Sequence, residues 1–586
     1  MPLENPLYKV LYVDLSRLRF WVEDRGELFE KHIGGTGVAV RLLAEEYPKS
    51  TDPLGPENVI VLAVGPLTGL FPMASKTVAM FKSPLTGNLG ESHAGGRSAI
   101  ALALAGYGAL VVKGISQTPV YLAVHGDKVR FRDASGIWGL GNSITVGRVI
   151  RELEPSAGIR TIMRIGRAGE RLVNFASVNT ETYRHFGRLG LGAVFGSKRL
   201  KAIVVSGKRN VPVRDMRLYR EVYNDIFNQS VKTPVMRKYH DLGTSMNVLP
   251  LNTAGSLPTR NLKQGRFEGV EAISGEALAE GYLGRRVACA HCPVACIHIA
   301  ALREAYVTEP YFYKTTMISY DYELIYALGS MLGVSDPKGL LRLLHEVEVQ
   351  SMDAMSVGVT LSWATEALEK GLLSEKDTLG LKLTWGDYEA YLKAIRFLAN
   401  RSGEFYHSLG QGLHQASAKY GGAEYALHFG GNEMPGYHTG PAAYAGYLVG
   451  ARHSHLDGAG YALDEAVLRE GKAVDPQMVA EGLLKEEVWR QILSSLVVCF
   501  FARGIYKPEL VVRALSVAGY DLTSEDLNLI GLETLKEKNR FKVREGFNPD
   551  ALNLPKRIQE TPTPMGAVSE TDIREAQKLF FQRLAP

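Results

Sequence analysis

Cysteine is scarce in this chain, with four in 586 residues. So few thiols cannot build the dense disulfide framework of a small secreted scaffold. The opening MPLENPLYKVLYVDLSR also lacks the basic start and apolar core of a secretory leader. Long hydrophobic runs are missing as well. The best, Val59 to Val64 and Leu496 to Phe501, fall far short of the ~20 residues that a membrane helix needs. An excess of charge is missing too, since 67 basic against 62 acidic residues leave +5. That is too little for a nucleic-acid footprint, and no basic run carries interleaved aromatics. With 46% hydrophobic and 22% charged residues, the composition is that expected of a soluble, cytoplasmic, globular chain of several domains. The small positive excess gives weak support to an acidic electron-carrier partner.

What is present is a cluster. Three of the four cysteines stand in Cys289-Ala-His-Cys292-Pro-Val-Ala-Cys296, and the fourth is Cys499. A compact trio plus a distant fourth thiolate is a common way to ligate a cubane iron–sulfur cluster, and it leaves no cysteine over. A structural zinc site also takes four thiolates, but such sites usually pair two CxxC units and no second pair exists. Radical enzymes using S-adenosylmethionine space their trio in the reverse order, CxxxCxxC. Cysteines that merely pack would not crowd three into eight residues.

Two textures divide the rest. Up to about Gly207, short β-branched runs (Val59 to Leu62, Leu110 to Val112, Thr161 to Met163, Ala202 to Val205) alternate with glycine-rich turns, which predicts a sheet-rich domain. Helical periodicity follows. Ser335-Asp336-Pro337 is a helix start, and the helix is expected to run into Asp353. The stretch from Ala418 to Ala423 reads as a boundary inside the helical part.

Glycine lets backbone amides approach an anion closely. Four segments qualify: Gly34-Gly35-Thr36-Gly37, Lys82 to Gly87, Gly95-Gly96-Arg97, and Gly187 to Lys198. Each alone reads more readily as an ordinary turn between strands, and the spacing from Gly187 to Gly192 is not a dinucleotide fingerprint without a strand before it and an acidic residue about twenty positions later.

Together these residues resemble the tungsten-dependent aldehyde:ferredoxin oxidoreductase family. The likeness runs through GGTGVAVRLL, KSPLTGNLGESHAGGR, GLGAVFGSKRLKAIVVSG, Leu257 to Asn261 (LPTRN), CAHCPVAC, ALGSMLGVSD, Asp353 to Gly358 (DAMSVG), Asn432 to His438 (NEMPGYH), Cys499, and Lys542 to Asn548 (KVREGFN). The resemblance implies an α+β fold: an N-terminal β-sheet-rich bis-pterin base over 1–208, then two mainly α-helical domains over 209–417 and 418–586. It also implies a tungsten (or molybdenum) bis-pterin, a [4Fe-4S] cluster and a Mg2+ ion bridging the pterin phosphates.

Carried over residue by residue, the resemblance makes Cys289, Cys292, Cys296 and Cys499 the cluster ligands. Lys76 stands where the family links cluster and pterin through an arginine, so the charge is kept and the bidentate fork is lost. The backbone carbonyls of His93 and Phe186 fall at the magnesium positions. Gly95, Gly96, Gly187, Arg188 and Gly190 fall in the cofactor loops. Asp353, Ser356 and Gly358 match one pterin motif, and Ser494 and Val498 stand before the fourth cysteine, with Ser494 in place of the family's aspartate. Glu323 aligns with the active-site acid and His455 with the active-site imidazole, His453 and Asp457 being the nearby alternatives. His438 is either a channel wall or a surface-loop residue.

The implied activity is oxidation of aldehydes to carboxylic acids. A glutamate, ordinarily near ~4.3, needs an apolar pocket to serve as a base near neutrality, and a histidine near ~6.5 can hydrogen-bond the carbonyl oxygen. Electrons would pass singly to ferredoxin or a small ferredoxin-like subunit, in a homo- or hetero-oligomer with no membrane span and no nucleic acid. The alternative, a task that the same fold also hosts, is low-potential reduction of an aromatic acyl-CoA ring by a tungsten catalytic subunit of a larger complex. Residues Tyr311 to Thr316 and Tyr437 to Tyr447 are candidate walls for the aldehyde channel.

Overall fold

The β-branched runs of the N-terminal third become strands buried on both faces, which explains why they read as continuous apolar stretches rather than alternating ones. The computed structural model describes residues 6–154, 158–181 and 183–585. Six strands form a first mixed sheet: β1 (Lys9–Asp14), β2 (Arg19–Asp24), β3 (Ile60–Ala63), β4 (Thr77–Lys82), β5 (Leu89–Ala94) and β6 (Ala109–Lys113), in the order β2-β1-β6-β3-β4-β5. Six more form a second: β7 (Val120–His125), β8 (Lys128–Asp133), β9 (Arg160–Arg164), β10 (Val178–Asn179), β11 (His185–Phe186) and β12 (Leu200–Ser206), in the order β11-β10-β9-β12-β7-β8. The pairs β1–β6 and β7–β12 are parallel and the remaining neighbours antiparallel.

The period-two alternation of strand side chains sorts these residues into layers. Leu110 and Val112 of the first sheet and Ile203 and Val205 of the second share one core with the alanine-rich helix Ser98–Ala105. The opposite face of the first sheet, with Val61, Val78 and Val111, packs on Val38 and Leu42 of the helix Gly35–Glu46. The opposite face of the second, with Ala202 and Val204, packs on Val146 and Ile150 of the helix Ser143–Leu153.

The chain divides into two compact units. The first comprises Met1–Met236, Ala288–Val294 and Lys485–Asn548, and the second Arg237–Val287, Ala295–Leu484 and Pro549–Pro586. The Ala418 to Ala423 stretch closes the helix Leu413–Tyr420 within the second unit. That unit is largely helical around a small antiparallel sheet of β13 (Leu283–Val287), β14 (Ile297–Ala305) and β15 (Tyr313–Tyr320). Sheets followed by helices make the fold α+β. Among the described residues, no helix is long and apolar enough to cross a membrane.

One helix boundary differs from the sequence reading. The carboxylate of Asp336 does cap the helix Pro337–Gln350, accepting from the amides of Lys338 (3.1 Å) and Gly339 (3.2 Å). The helix stops short of Asp353, because Ser351 turns left-handed (φ 59°). Asp353 is instead the N-cap of the next helix, Ala354–Glu369, accepting from the amide of Met355 at 3.2 Å.

Candidate functional site

In the second unit, two elements hold an acid and an imidazole together. Asp321 caps the helix Tyr322–Leu328, whose first turn carries Glu323. The amide of Gly436 donates to Glu323 Oε2 at 3.0 Å, and the other oxygen, Oε1, lies 3.4 Å from Nε2 of His455. The Tyr322 hydroxyl donates to the carbonyl of Gly436, so one peptide is gripped from both sides. A Cβ at position 436 would sit 2.7 Å from the Tyr326 ring, which restricts the position to glycine. His455 is 8% exposed.

The two neighbours of His455 are engaged elsewhere. Asp457 accepts from the amide and Nε of Arg452 (3.0 and 2.6 Å) and from the amide of Ser454 (3.0 Å), which folds the loop that presents His455. His453 Nδ1 donates to the carbonyl of Tyr447 at 2.9 Å. Around the acid and imidazole stands an aromatic wall. The Tyr437 ring centre is 5.1 Å from those of both Tyr322 and His455, and 4.5 Å from Tyr461. Burial, reinforced by the Glu323 carboxylate, holds the phenols of Tyr322, Tyr437 and Tyr447 well above their ordinary range. They are therefore hydrogen-bond donors, not acids, near neutrality.

His438 is neither of the things the sequence suggested. It is fully buried, its Nδ1 against the Tyr444 hydroxyl and its Nε2 donating to the carbonyl of Thr561 at 3.1 Å. Burial pushes its pKa down to about 4, so it is a neutral structural residue. Tyr311 and Phe312 lie on an exposed hairpin tip (92% and 65%), whereas Tyr437, Tyr444 and Tyr447 are buried.

The hydroxyl of Ser356 lies 2.6 Å from both Asp353 Oδ2 and Glu433 Oε2, so its single proton serves two carboxylates. Gly358 has a packing duty. Its Cβ would fall 2.1 Å from the carbonyl of Ala327, so only glycine lets the helix Ala354–Glu369 lie against the helix that carries Glu323.

In the first unit, glycine loops and three cysteines are brought together by backbone. Met73, left-handed at φ 66°, donates its amide to the carbonyl of His291 (3.1 Å) and accepts from the amide of Cys499 (2.9 Å). It thereby clasps the Cys289–Cys292 turn to the Cys499 segment. The amide of Ala290 donates to Gly96 (2.8 Å) and that of Lys76 to Val497 (3.0 Å). A Cβ at Gly95 would stand 2.7 Å from Cys289 Sγ, 3.4 Å from Lys76 Nζ and 3.5 Å from Arg184 Cδ. Ser83 Oγ donates to the carbonyl of Leu189 at 2.8 Å, which ties the Lys82 to Gly87 turn to the loop of Gly187, Arg188 and Gly190. Phe186 pairs with Val178 in β11, and His93 Nε2 lies 2.7 Å from Glu91 Oε1. Glu91 also accepts from Thr36 (2.7 Å) and faces Lys538 at 2.5 Å.

The tetrad Gly34 to Gly37 serves a close backbone approach. Cβ atoms at Gly35 and Gly65 would fall 2.3 Å from the carbonyl of Ser494 and 2.5 Å from that of Ser495. Ser494 and Val498 are buried. Cys296, in the second unit, precedes β14, and its carbonyl accepts from His298 Nδ1 at 3.1 Å.

The donor set suits a thiolate-bound cluster and an anionic pterin. All four cysteines are partly exposed. Gly95 leaves space beside a thiolate and a lysine, Gly187 opens onto empty space, and Lys76 and Arg184 bring positive charge next to Gly95. Among the described residues, no three His, Cys, Asp or Glu side chains converge on a single ion. Met73, Glu91 and Gly436 escaped the sequence reading, although Glu91 and Gly436 lie inside quoted motifs. The use of a left-handed methionine as a clasp has no signal in composition or spacing.

Two family models match the chain: aldehyde ferredoxin oxidoreductase N-terminal domain over residues 10–207, and aldehyde ferredoxin oxidoreductase domains 2 and 3 over residues 221–583. The tungsten-containing aldehyde ferredoxin oxidoreductases of Thermococcus kodakarensis and Pyrococcus furiosus are 34% and 33% identical, each alignment covering 95% of this chain and 92% of the relative. Among solved structures, the active-site complex BamBC of benzoyl coenzyme A reductase with 1,5-dienoyl-CoA superposes with a TM-score of 0.84. It covers 99% of this chain and 94% of that one at 20% identity, a likeness of fold.

Proposed function

Because the chain belongs to the aldehyde ferredoxin oxidoreductase family, we propose that it oxidises aldehydes to carboxylic acids and delivers the electrons to ferredoxin. The family makes it an oxidoreductase enzyme with a tungsten–pterin cofactor. The observation that carries the finer reading is the Glu323–His455 pair, 3.4 Å apart within a wall of tyrosines.

The residues that would hold the cluster are Cys289, Cys292, Cys296 and Cys499. Those that would hold the pterins and their magnesium are Lys76, the carbonyls of His93 and Phe186, the loops of Gly95-Gly96, Gly187-Arg188 and Gly190, Asp353 with Ser356, and Ser494 with Val498. When bound, the metal–pterin group accepts two electrons and the cluster passes them on singly.

The protein's own part is proton handling and positioning. Gly436 fixes one oxygen of Glu323, which aims the other at His455. Oε1 of Glu323 takes the proton that a water loses on adding to the aldehyde carbon. His455, when protonated, donates to the aldehyde oxygen through Nε2, which stabilises the charge that grows there. The tyrosine wall excludes bulk water and keeps these hydrogen bonds strong.

The test is anaerobic viologen reduction with aliphatic, aromatic and sugar-derived aldehydes, set beside an aromatic acyl-CoA couple. The expected result is one carboxylate formed for each two viologens reduced. Exchange of electrons with a cyclic dienoyl-CoA and turnover of no aldehyde would contradict it and favour ring reduction.

A further inference from the structure

We propose that the outward face of the helix Met216–Lys232 is the docking surface for an acidic one-electron iron–sulfur carrier. The proposal rests on the reading above that electrons leave the protein through the cluster ligands.

Asp215 caps this helix, accepting from the amides of Arg217 (2.8 Å) and Leu218 (3.0 Å), and Val222, Ile226 and Ser230 form its buried side. At 3.6 residues per turn, Met216, Arg220, Tyr223, Phe227 and Val231 form a second stripe that flanks this buried side. Three large apolar residues are exposed there: Met216 at 52%, Phe227 at 38% and Val231 at 41%. An apolar stripe open to solvent on a helix whose inner face is already packed marks a surface built for contact.

The charges around the stripe select the partner. Arg217, Arg220 and Lys232 on the helix, with Arg513 beside it, outnumber Asp215, Glu221 and Asp225 by four to three. Glu221 lies 3.4 Å from Arg217 and 3.9 Å from Arg513, so one acid faces two cations. An apolar centre with a basic rim fits a small acidic protein, held weakly and steered by charge, as transient electron-transfer partners are.

The stripe also leads inward to the thiolates. The Phe227 ring stacks on Tyr223 with centres 6.2 Å apart, and Tyr223 stacks on His291 at 5.8 Å. His291 stands between Cys289 and Cys292 and is tied to Met73, whose carbonyl also receives the amide of Cys499. Two ring-to-ring steps therefore separate the exposed stripe from the residue flanked by two cluster ligands. Electron transfer falls steeply with distance, and this face brings a carrier close to those thiolates.

The experiment measures binding of a small acidic 2[4Fe–4S] ferredoxin to the holoenzyme by calorimetry at low and high salt, for wild type, Phe227→Ala and Arg220→Glu. Viologen-linked and ferredoxin-linked rates and sedimentation accompany it. Both variants are expected to weaken binding by about tenfold or more. The Arg220→Glu loss should shrink at high salt, while that of Phe227→Ala should persist. Viologen-linked rates and oligomeric state should match wild type. Absent or unchanged ferredoxin binding would overturn the proposal. So would a change in oligomeric state, which would make the face a contact between copies of the chain. Binding is read without turnover, so failure to oxidise any aldehyde would refute the proposed function and leave the docking result to be judged on its own.

Discussion

Exchanging Glu323 for glutamine lowers aldehyde-dependent viologen reduction by about 10²–10⁴-fold, the range lost when a positioned acid–base group is removed, while tungsten and iron contents stay at wild-type levels. Glutamine has nearly the same shape, and its side-chain carbonyl can still accept from the amide of Gly436, as Oε2 does now at 3.0 Å. The Tyr322 clamp on that peptide is untouched. What disappears is the carboxylate that faces His455 at 3.4 Å and can take a proton. The loss should therefore fall on kcat, with aldehyde KM altered much less. A Glu323→Gln enzyme with full kcat would show that another group handles the proton, and would remove the main support for the catalytic assignment.

Gly95→Ala yields a folded protein with less than about half the wild-type iron. The added methyl would lie 2.7 Å from Cys289 Sγ, well inside the ~3.5–4.0 Å of ordinary contact. The sulfur has little freedom to retreat, because the next residue, Ala290, hydrogen-bonds to Gly96 at 2.8 Å and the turn closes through the Cys292 amide to Cys289 at 3.2 Å. Retreat of the neighbouring Lys76 Nζ, 3.4 Å from the same methyl, would not relieve the sulfur. Gly504→Ala is the control, since a methyl there meets nothing within 4 Å. Its iron should be normal. Full iron in Gly95→Ala would mean that Cys289 does not hold the cluster in this geometry.

Local signals in the sequence carried far. The four β-branched runs are strands β3, β6, β9 and β12, because β propensity and burial on both faces agree there. Asp336 and Pro337 start a helix as their chemistry requires. What escaped depends on chain segments remote in sequence. The Gly34 to Gly37 tetrad looks like an anion loop, yet its tightness answers to the carbonyls of Ser494 and Ser495, more than four hundred residues away. His438 is buried only because Tyr444 and the Thr561 carbonyl close over it. Ser351 adopts a left-handed conformation that no propensity favours, and so ends a helix before Asp353. Within the candidate site, the identities of Glu323 and His455 were legible, while their support from Gly436, Tyr322 and Asp457 depends on tertiary contacts.

The most direct test of the account is elemental analysis of protein purified anaerobically from its native source. About one tungsten and about four irons per chain are expected, as a metal–pterin centre beside a single cubane requires. Zinc in place of iron, held by the same four thiolates, would contradict it.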